Sequence, residues 1–323
     1  MRPVPYPLTI LLVLAGWLPL SLVAQTDPDT IQLRPIHAAM FTKAEAAIDA
    51  KEYTKAEMLY TQLIDANANP ILATLGRAQA RIAQGDIKGA RKDYQMILKQ
   101  YPTQYQALVE IGKTYGATGE LEKAISYFDK AVAADSTHKL GYAYRGMAYR
   151  EMKQYEPAIW NYTESLRRDS ADLQLRYYRA ECYNFSHQSD LAQQDLEFII
   201  RIDSTHRLAL TNLAFSLLDQ GLYQEAEIHY KRLQRIYPGD QYILNNYGFL
   251  KHKLGQTEEG LELIRRALIV NPDNSYAYKY RALIYLDQGK TDEACQAIQT
   301  ALKMGYTEKY GPDVSELKAT YCD

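Results

Sequence analysis

Between residues 105 and 138 apolar side chains recur every three to four positions, on Leu108, Ile111, Gly112 and Tyr115, then on Ala124, Phe128, Ala131 and Val132. That spacing puts each set on one face of a helix. Gly119 interrupts the pattern where only a tight turn fits, so the stretch predicts a helical hairpin. A single hairpin has too little apolar surface to bury alone. Stacked neighbours would complete its core.

The pattern repeats every 34 residues without insertion, in eight units starting at 37, 71, 105, 139, 173, 207, 241 and 275 and ending at 308. Unit position 8 is always small: Ala44, Ala78, Gly112, Gly146, Ala180, Ala214, Gly248 and Ala282. Position 20 is small as well: Ala56, Ala90, Ala124, Ala158, Ala192, Ala226, Gly260 and Ala294. Only a hydrogen or a methyl fits where two helices of a hairpin cross closely. Position 24 supplies a large neighbour to that crossing: Tyr60, Tyr94, Phe128, Tyr162, Leu196, Tyr230, Ile264 and Ile298. At position 15, Gly85, Gly119, Gly221, Gly255 and Gly289 mark a turn that calls for a left-handed residue. Lys51, Lys153 and His187 stand there in units one, four and five, which questions the regularity of those turns.

This period, with a small residue at 8, alanine at 20, an aromatic at 24 and proline at 32 in Pro102, Pro238 and Pro272, resembles the tetratricopeptide repeat family over residues 37–308. Thr74 and Arg176 depart from it at position 4, where the family usually has a large aromatic. The resemblance implies an all-α, right-handed α-solenoid of helix-turn-helix repeats, with positions 2, 5, 9, 12 and 13 of each first helix on a concave wall. Residues 309–323 break the repeat. Pro312 and Asp313 suit a first helical turn, and Val314, Leu317 and Tyr321 form one apolar stripe, so a capping helix is expected there.

Units two to four place Leu72, Leu75, Ile82, Val109, Leu140 and Met147 on that wall, an aliphatic set. Units five to eight place rings among hydrogen-bonding groups: Tyr177, Glu181, Asn184 and Phe185; Phe215, Leu218 and Asp219; Tyr242, Asn245, Phe249 and Lys253; Tyr276, Lys279 and Leu283. Such a mixture suits a groove that grips a peptide or helix of another protein, and it suits packing between adjacent units equally well. Some members of the family hold a terminal carboxylate; Asn245 and Lys279 are placed for this, but the companion residues are missing. In Tyr144–Arg145–Tyr149, Tyr178–Arg179–Tyr183 and Tyr280–Arg281–Tyr285, the recurrence with the structural period favours ring stacking inside the scaffold.

A net charge of -2 argues against broad electrostatic binding to nucleic acid or anionic membrane. Arg2, an apolar run from Leu8 and Ala24 before Gln25 have the layout of a secretory signal at 1–24, followed by a polar leader at 25–36. Leu22 is large for a cleavage-site neighbour, and an uncleaved anchor is the weaker alternative. Export, to the periplasm or outside, is expected. Cys295 near the start of the last repeat helix and Cys322 at the end of an antiparallel cap could form a bridge, with free thiols the alternative. Cys182 reads as a small buried residue.

The histidines show no metal-ligand spacing, and His138 and His206 each close an Asp-Ser-Thr-His turn between units. No HExxH, CxxC, GxSxG or phosphate-cradling loop occurs. No cofactor or metal is called for. The expectation is a non-catalytic protein-binding scaffold, with a glycan-binding wall or a structural envelope subunit as alternatives.

Overall fold

The computed structural model describes residues 34–322; the expected signal at 1–24 and nearly all of the expected leader lie outside the described residues. Among these, every regular element is a helix. The chain divides into two compact bodies, with the boundary between Leu175 and Arg176.

The first body holds α1 (Pro35–Asp49), α2 (Tyr53–Asp65), α3 (Pro70–Ala83), α4 (Ile87–Gln100), α5 (Tyr105–Ala117), α6 (Leu121–Ala134), α7 (Lys139–Glu151) and α8 (Tyr155–Arg168). Each helix packs on the next. Helix α1 begins two residues before the expected unit, because Pro35 suits a first turn whose N–H groups have no intrahelical partner.

The second body takes α9 (Leu173–Phe185) from Arg176 onward. It continues through α10 (Ser189–Ile202), α11 (Arg207–Asp219), α12 (Tyr223–Ile236), α13 (Gln241–Lys253), α14 (Thr257–Val270), α15 (Ser275–Asp287) and α16 (Thr291–Lys303). It closes with α17 (Tyr306–Tyr310) and α18 (Asp313–Tyr321). The cap is therefore two short helices rather than one, because Gly305 (φ 74) and Gly311 (φ 109) each break the helical path. Val314 is fully buried, whereas Tyr321, expected on the same stripe, is 51% exposed.

The crossings follow from the small residues. All the alanines at positions 8 and 20 and every large side chain at position 24 are fully enclosed. A methyl built on Gly112 would lie 2.6 Å from the Phe128 ring, so the ring occupies the space that the missing side chain leaves. The position-15 turns are uniform despite their sequences: Lys51 (φ 61), Lys153 (φ 58) and His187 (φ 58) adopt the left-handed conformation of the five glycines.

Most first helices, though not α1 or α7, are capped by side chains from the residues just before them. Asn69 accepts from the Leu72 N–H, Asp240 from Tyr242 and Ile243, and Asn274 from Ala277. In the two Asp-Ser-Thr-His turns the aspartate accepts from the threonine N–H, Asp135 from Thr137 and Asp203 from Thr205. His206 then caps α11 through Nδ1.

Candidate functional site

The expected wall residues of units five to eight lie on α9, α11, α13 and α15, within the second body. Seven of them, Tyr177, Phe215, Leu218, Asn245, Phe249, Tyr276 and Lys279, are buried. Glu181, Asn184, Phe185, Tyr242 and Lys253 are half-buried. Of the two uses that the sequence left open, groove and packing, Tyr177, Phe215, Phe249 and Tyr276 take the packing one. First helices of successive hairpins touch directly, α11 with α13 and α13 with α15, so large side chains facing that seam fill it.

The contacts are specific. Phe249 stacks on Tyr280 with centroids 4.3 Å apart and planes 7° from parallel, and Tyr276 meets Tyr280 edge-on at 5.0 Å. The Tyr177 hydroxyl donates to Glu181 Oε1 at 3.0 Å and accepts from Asn212 Nδ2 at 3.1 Å. Asn245 is 1% exposed, and its Oδ1 has no hydrogen-bond donor among the described residues.

Above this closed floor stand polar groups. Lys253 Nζ donates to Asp287 Oδ2 at 2.6 Å, and His252 joins the same oxygen through Nε2 at 3.0 Å while Nδ1 meets Thr257 Oγ1 at 3.0 Å. Partial burial pushes the Asp287 carboxyl up, but the Lys253 and His252 hydrogen bonds outweigh it and hold the group below the ordinary aspartate value. Lys279, by contrast, is not available on the wall. Its Nζ donates to the Tyr306 hydroxyl at 3.0 Å and to Asp313 Oδ2 at 2.5 Å, both in the C-terminal segment. Burial pushes the Tyr276 and Tyr306 phenols well up, so both stay neutral.

Cys295 and Cys322 are joined by a disulfide with their Cα atoms 5.6 Å apart, and Cys182 is fully buried.

At position 7, Arg145 and Arg179 meet both rings and a second-helix side chain of their own unit. Ring contacts exist: Arg179 lies 5.7 Å from Tyr183 and Arg281 5.8 Å from Tyr285, while Arg145 approaches Tyr142 and Trp160 instead of Tyr149. The stronger anchor is position 23 of the same unit. Arg77 grips Asp93 with two hydrogen bonds, at 3.1 and 2.7 Å, and Arg179 grips Asp195 with two at 2.7 Å. Arg145 donates to Asn161 Oδ1 at 2.7 Å. The pairing was present in the sequence as a sixteen-residue offset that carries no apolar period.

Among curated proteins, the chain is 28% identical over 163 residues to the TPR repeat-containing protein PA4667 of Pseudomonas aeruginosa, covering 49% of this chain and 27% of that protein. It is 23% identical over 281 residues to the human mitochondrial import receptor subunit TOM70, covering 83% of this chain and 46% of that protein. The chain thus spans less than half of the length of these two relatives. Among solved structures, a tetratricopeptide repeat protein from Parabacteroides merdae superposes with a TM-score of 0.61 at 19% identity, covering 82% of this chain and 99% of that one. YrrB, described as a TPR protein with an unusual peptide-binding site, superposes with a TM-score of 0.52 at 21% identity, covering 57% of this chain and 95% of that one. The tetratricopeptide repeat model matches residues 75–139, 185–241 and 252–307, more than half of the chain. With its period, its small-residue crossings and this match, the chain belongs to the tetratricopeptide repeat family.

Proposed function

We propose that the chain is a non-catalytic scaffold that binds an extended segment of another protein along the first helices of the second body. Proteins of this repeat family generally serve as surfaces for protein–protein contact. The observation that carries the reading is a rigid floor beneath accessible polar groups. The buried Phe249–Tyr280 stack and Tyr177 fix the helices, and Glu181, Asn184 and Lys253 stand half-buried on them. Groups held in place before binding lose little freedom when a partner's backbone is hydrogen-bonded to them. The YrrB peptide-binding site supports the same use of the fold. Binding therefore falls to Glu181, Asn184, Tyr242 and Lys253, while the rings act from beneath. A sugar-stacking wall is disfavoured, because the faces of Tyr177, Phe215, Phe249 and Tyr276 are covered.

The proposal includes export. The layout of residues 1–24 favours it, and the Cys295–Cys322 pairing suits an oxidising compartment. Terminal sequencing of the mature protein is expected to begin at Gln25, and a retained Met1 would remove this part.

Photo-crosslinking side chains placed at Asn184 and Lys253 in the native cell, with the products read by mass spectrometry, test the surface. Adducts to a common partner segment at both positions, and none at the exposed Ile228 on α12, are expected. Adducts at Ile228 with none at the wall would overturn it.

A further inference from the structure

The wall residue Lys279 is sealed, yet its counter-charge comes from outside the repeats. Its side chain is 6% exposed, and that of its partner Asp313 is 47% exposed. The Tyr306 hydroxyl bridges the pair, accepting from Lys279 Nζ at 3.0 Å and donating to Asp313 Oδ2 at 3.2 Å. Tyr310 then sets its ring edge-on to Tyr276 at 5.1 Å and lies 4.9 Å from Tyr306. An aromatic pair followed by a carboxylate thus lies against Tyr276 and Lys279, two of the residues expected to meet a partner.

Tyr306, 1% exposed, anchors the segment in α17, and beyond it the chain is lightly held. Within α18 only Val314 is buried, Gly311 and Pro312 separate the two short helices, and Tyr321 is exposed. Elements with few buried apolar contacts open at low free energy. The far end is nevertheless tied to α16 through Cys295–Cys322. If Asp313 left alone, a buried ammonium would remain without a counter-charge, a strongly unfavourable state. The vacancy favours an incoming carboxylate.

Building on the wall as the partner-binding surface, we propose that residues 306–321 are an autoinhibitory occupant of its last first helix. The disulfide latches it, and a partner segment that presents aromatic rings and a carboxylate displaces it once a dithiol has reduced Cys295–Cys322. In that step a thiolate of the dithiol attacks one sulfur and displaces the other as a thiolate. The second thiol of the reductant resolves the mixed disulfide. Two electrons and two protons pass to Cys295 and Cys322, and the reductant becomes a disulfide.

The probe is a fluorescent synthetic peptide of residues 305–321, titrated onto the full chain. The oxidised chain should bind it at least tenfold more weakly than the Cys322→Ser/Asp313→Asn double variant, whose own segment is unlatched and lacks the carboxylate. The same peptide with Asp313→Asn should lose at least tenfold in affinity for the double variant. Hydrogen exchange in Cys322→Ser should quicken in α17 and α18 and stay unchanged in α13 to α16. Equal peptide binding by the oxidised chain and the double variant would overturn the proposal. So would exchange that quickens throughout α13 to α16, since the segment would then be part of the core. Because the probe is the chain's own segment, these outcomes are independent of whether cellular crosslinks map to the wall.

Discussion

Gly248 and Gly260 meet backbone to backbone in the seventh hairpin. A methyl added at Gly248 would lie 2.6 Å from the Gly260 carbonyl oxygen, and one added at Gly260 would lie 2.4 Å from the Gly248 carbonyl oxygen. Elsewhere in a helix, glycine to alanine gains about 0.5–1 kcal/mol from reduced backbone entropy. Here the obstacle is backbone, which no rotamer change relieves. Gly248→Ala and Gly260→Ala should each cost about 1–3 kcal/mol, the range of overpacked cores. Hydrogen exchange in α13 and α14 reads the loss, and a stability equal to or above that of the natural chain would contradict the close crossing.

The left-handed turns at Lys51, Lys153 and His187 store strain. A non-glycine residue in this region costs roughly 1–2 kcal/mol. Glycine removes that cost but adds about 0.5–1 kcal/mol of backbone entropy to the unfolded chain. The difference favours glycine, so Lys153→Gly should stabilise by about 0.5–1 kcal/mol, with Lys51→Gly and His187→Gly similar. Urea midpoints of the three single variants check this, and a fall in all three would show that the lysine and histidine side chains contribute contacts that outweigh the strain.

Residues at positions 8, 20 and 24 were legible because close helix packing recurs with the unit, and one period exposes all eight examples. Burial of Phe215, Phe249 and Tyr276 was not. Their spacing places them on the inner face, but how closely the next first helix approaches is set by the side chains of two units at once. The Arg179–Asp195 pair joins residues that no hydrophobic pattern links. Lys279–Asp313 lay further out of reach, because one partner lies beyond the last repeat and has no counterpart in the others. The accessible part of the wall was therefore legible as a location and not as a set of side chains.

Asp195 holds two arginines at once, Arg179 with two hydrogen bonds and Arg176 with one at 3.1 Å, and its side chain is nearly enclosed. Removing one member of a buried ion pair leaves the other charge without compensation and costs about 3–5 kcal/mol. Asp195→Ala should approach the lower end of that range, since both arginine side chains keep some contact with solvent. Asp195→Asn should lose less, because one oxygen still accepts a hydrogen bond, as Asn161 does for Arg145. Thermal unfolding of the two variants orders them, and an alanine variant as stable as the natural chain would show the pair to be neutral.

Glu57 links the first and second hairpins. Its carboxylate accepts from Arg81 Nε at 2.8 Å and from Gln84 Nε2 at 2.8 Å. The Arg81 hydrogen bond is the largest influence on the group. It outweighs the upward push of partial burial and, aided by Gln84, sets the carboxyl below its ordinary value of 4.5. A depressed acid in the folded state means that the unfolded chain binds the proton more readily. The stabilisation is therefore fully present above about pH 4.5 and disappears as pH falls through the lower folded value. Glu57→Gln should remove this part of the acid dependence while leaving the rest of the profile in place. Urea midpoints measured from pH 6 to 3 for both chains, with hydrogen exchange localising the change to α2 and α3, decide it. Parallel curves over that window would show that Glu57 gains nothing from Arg81.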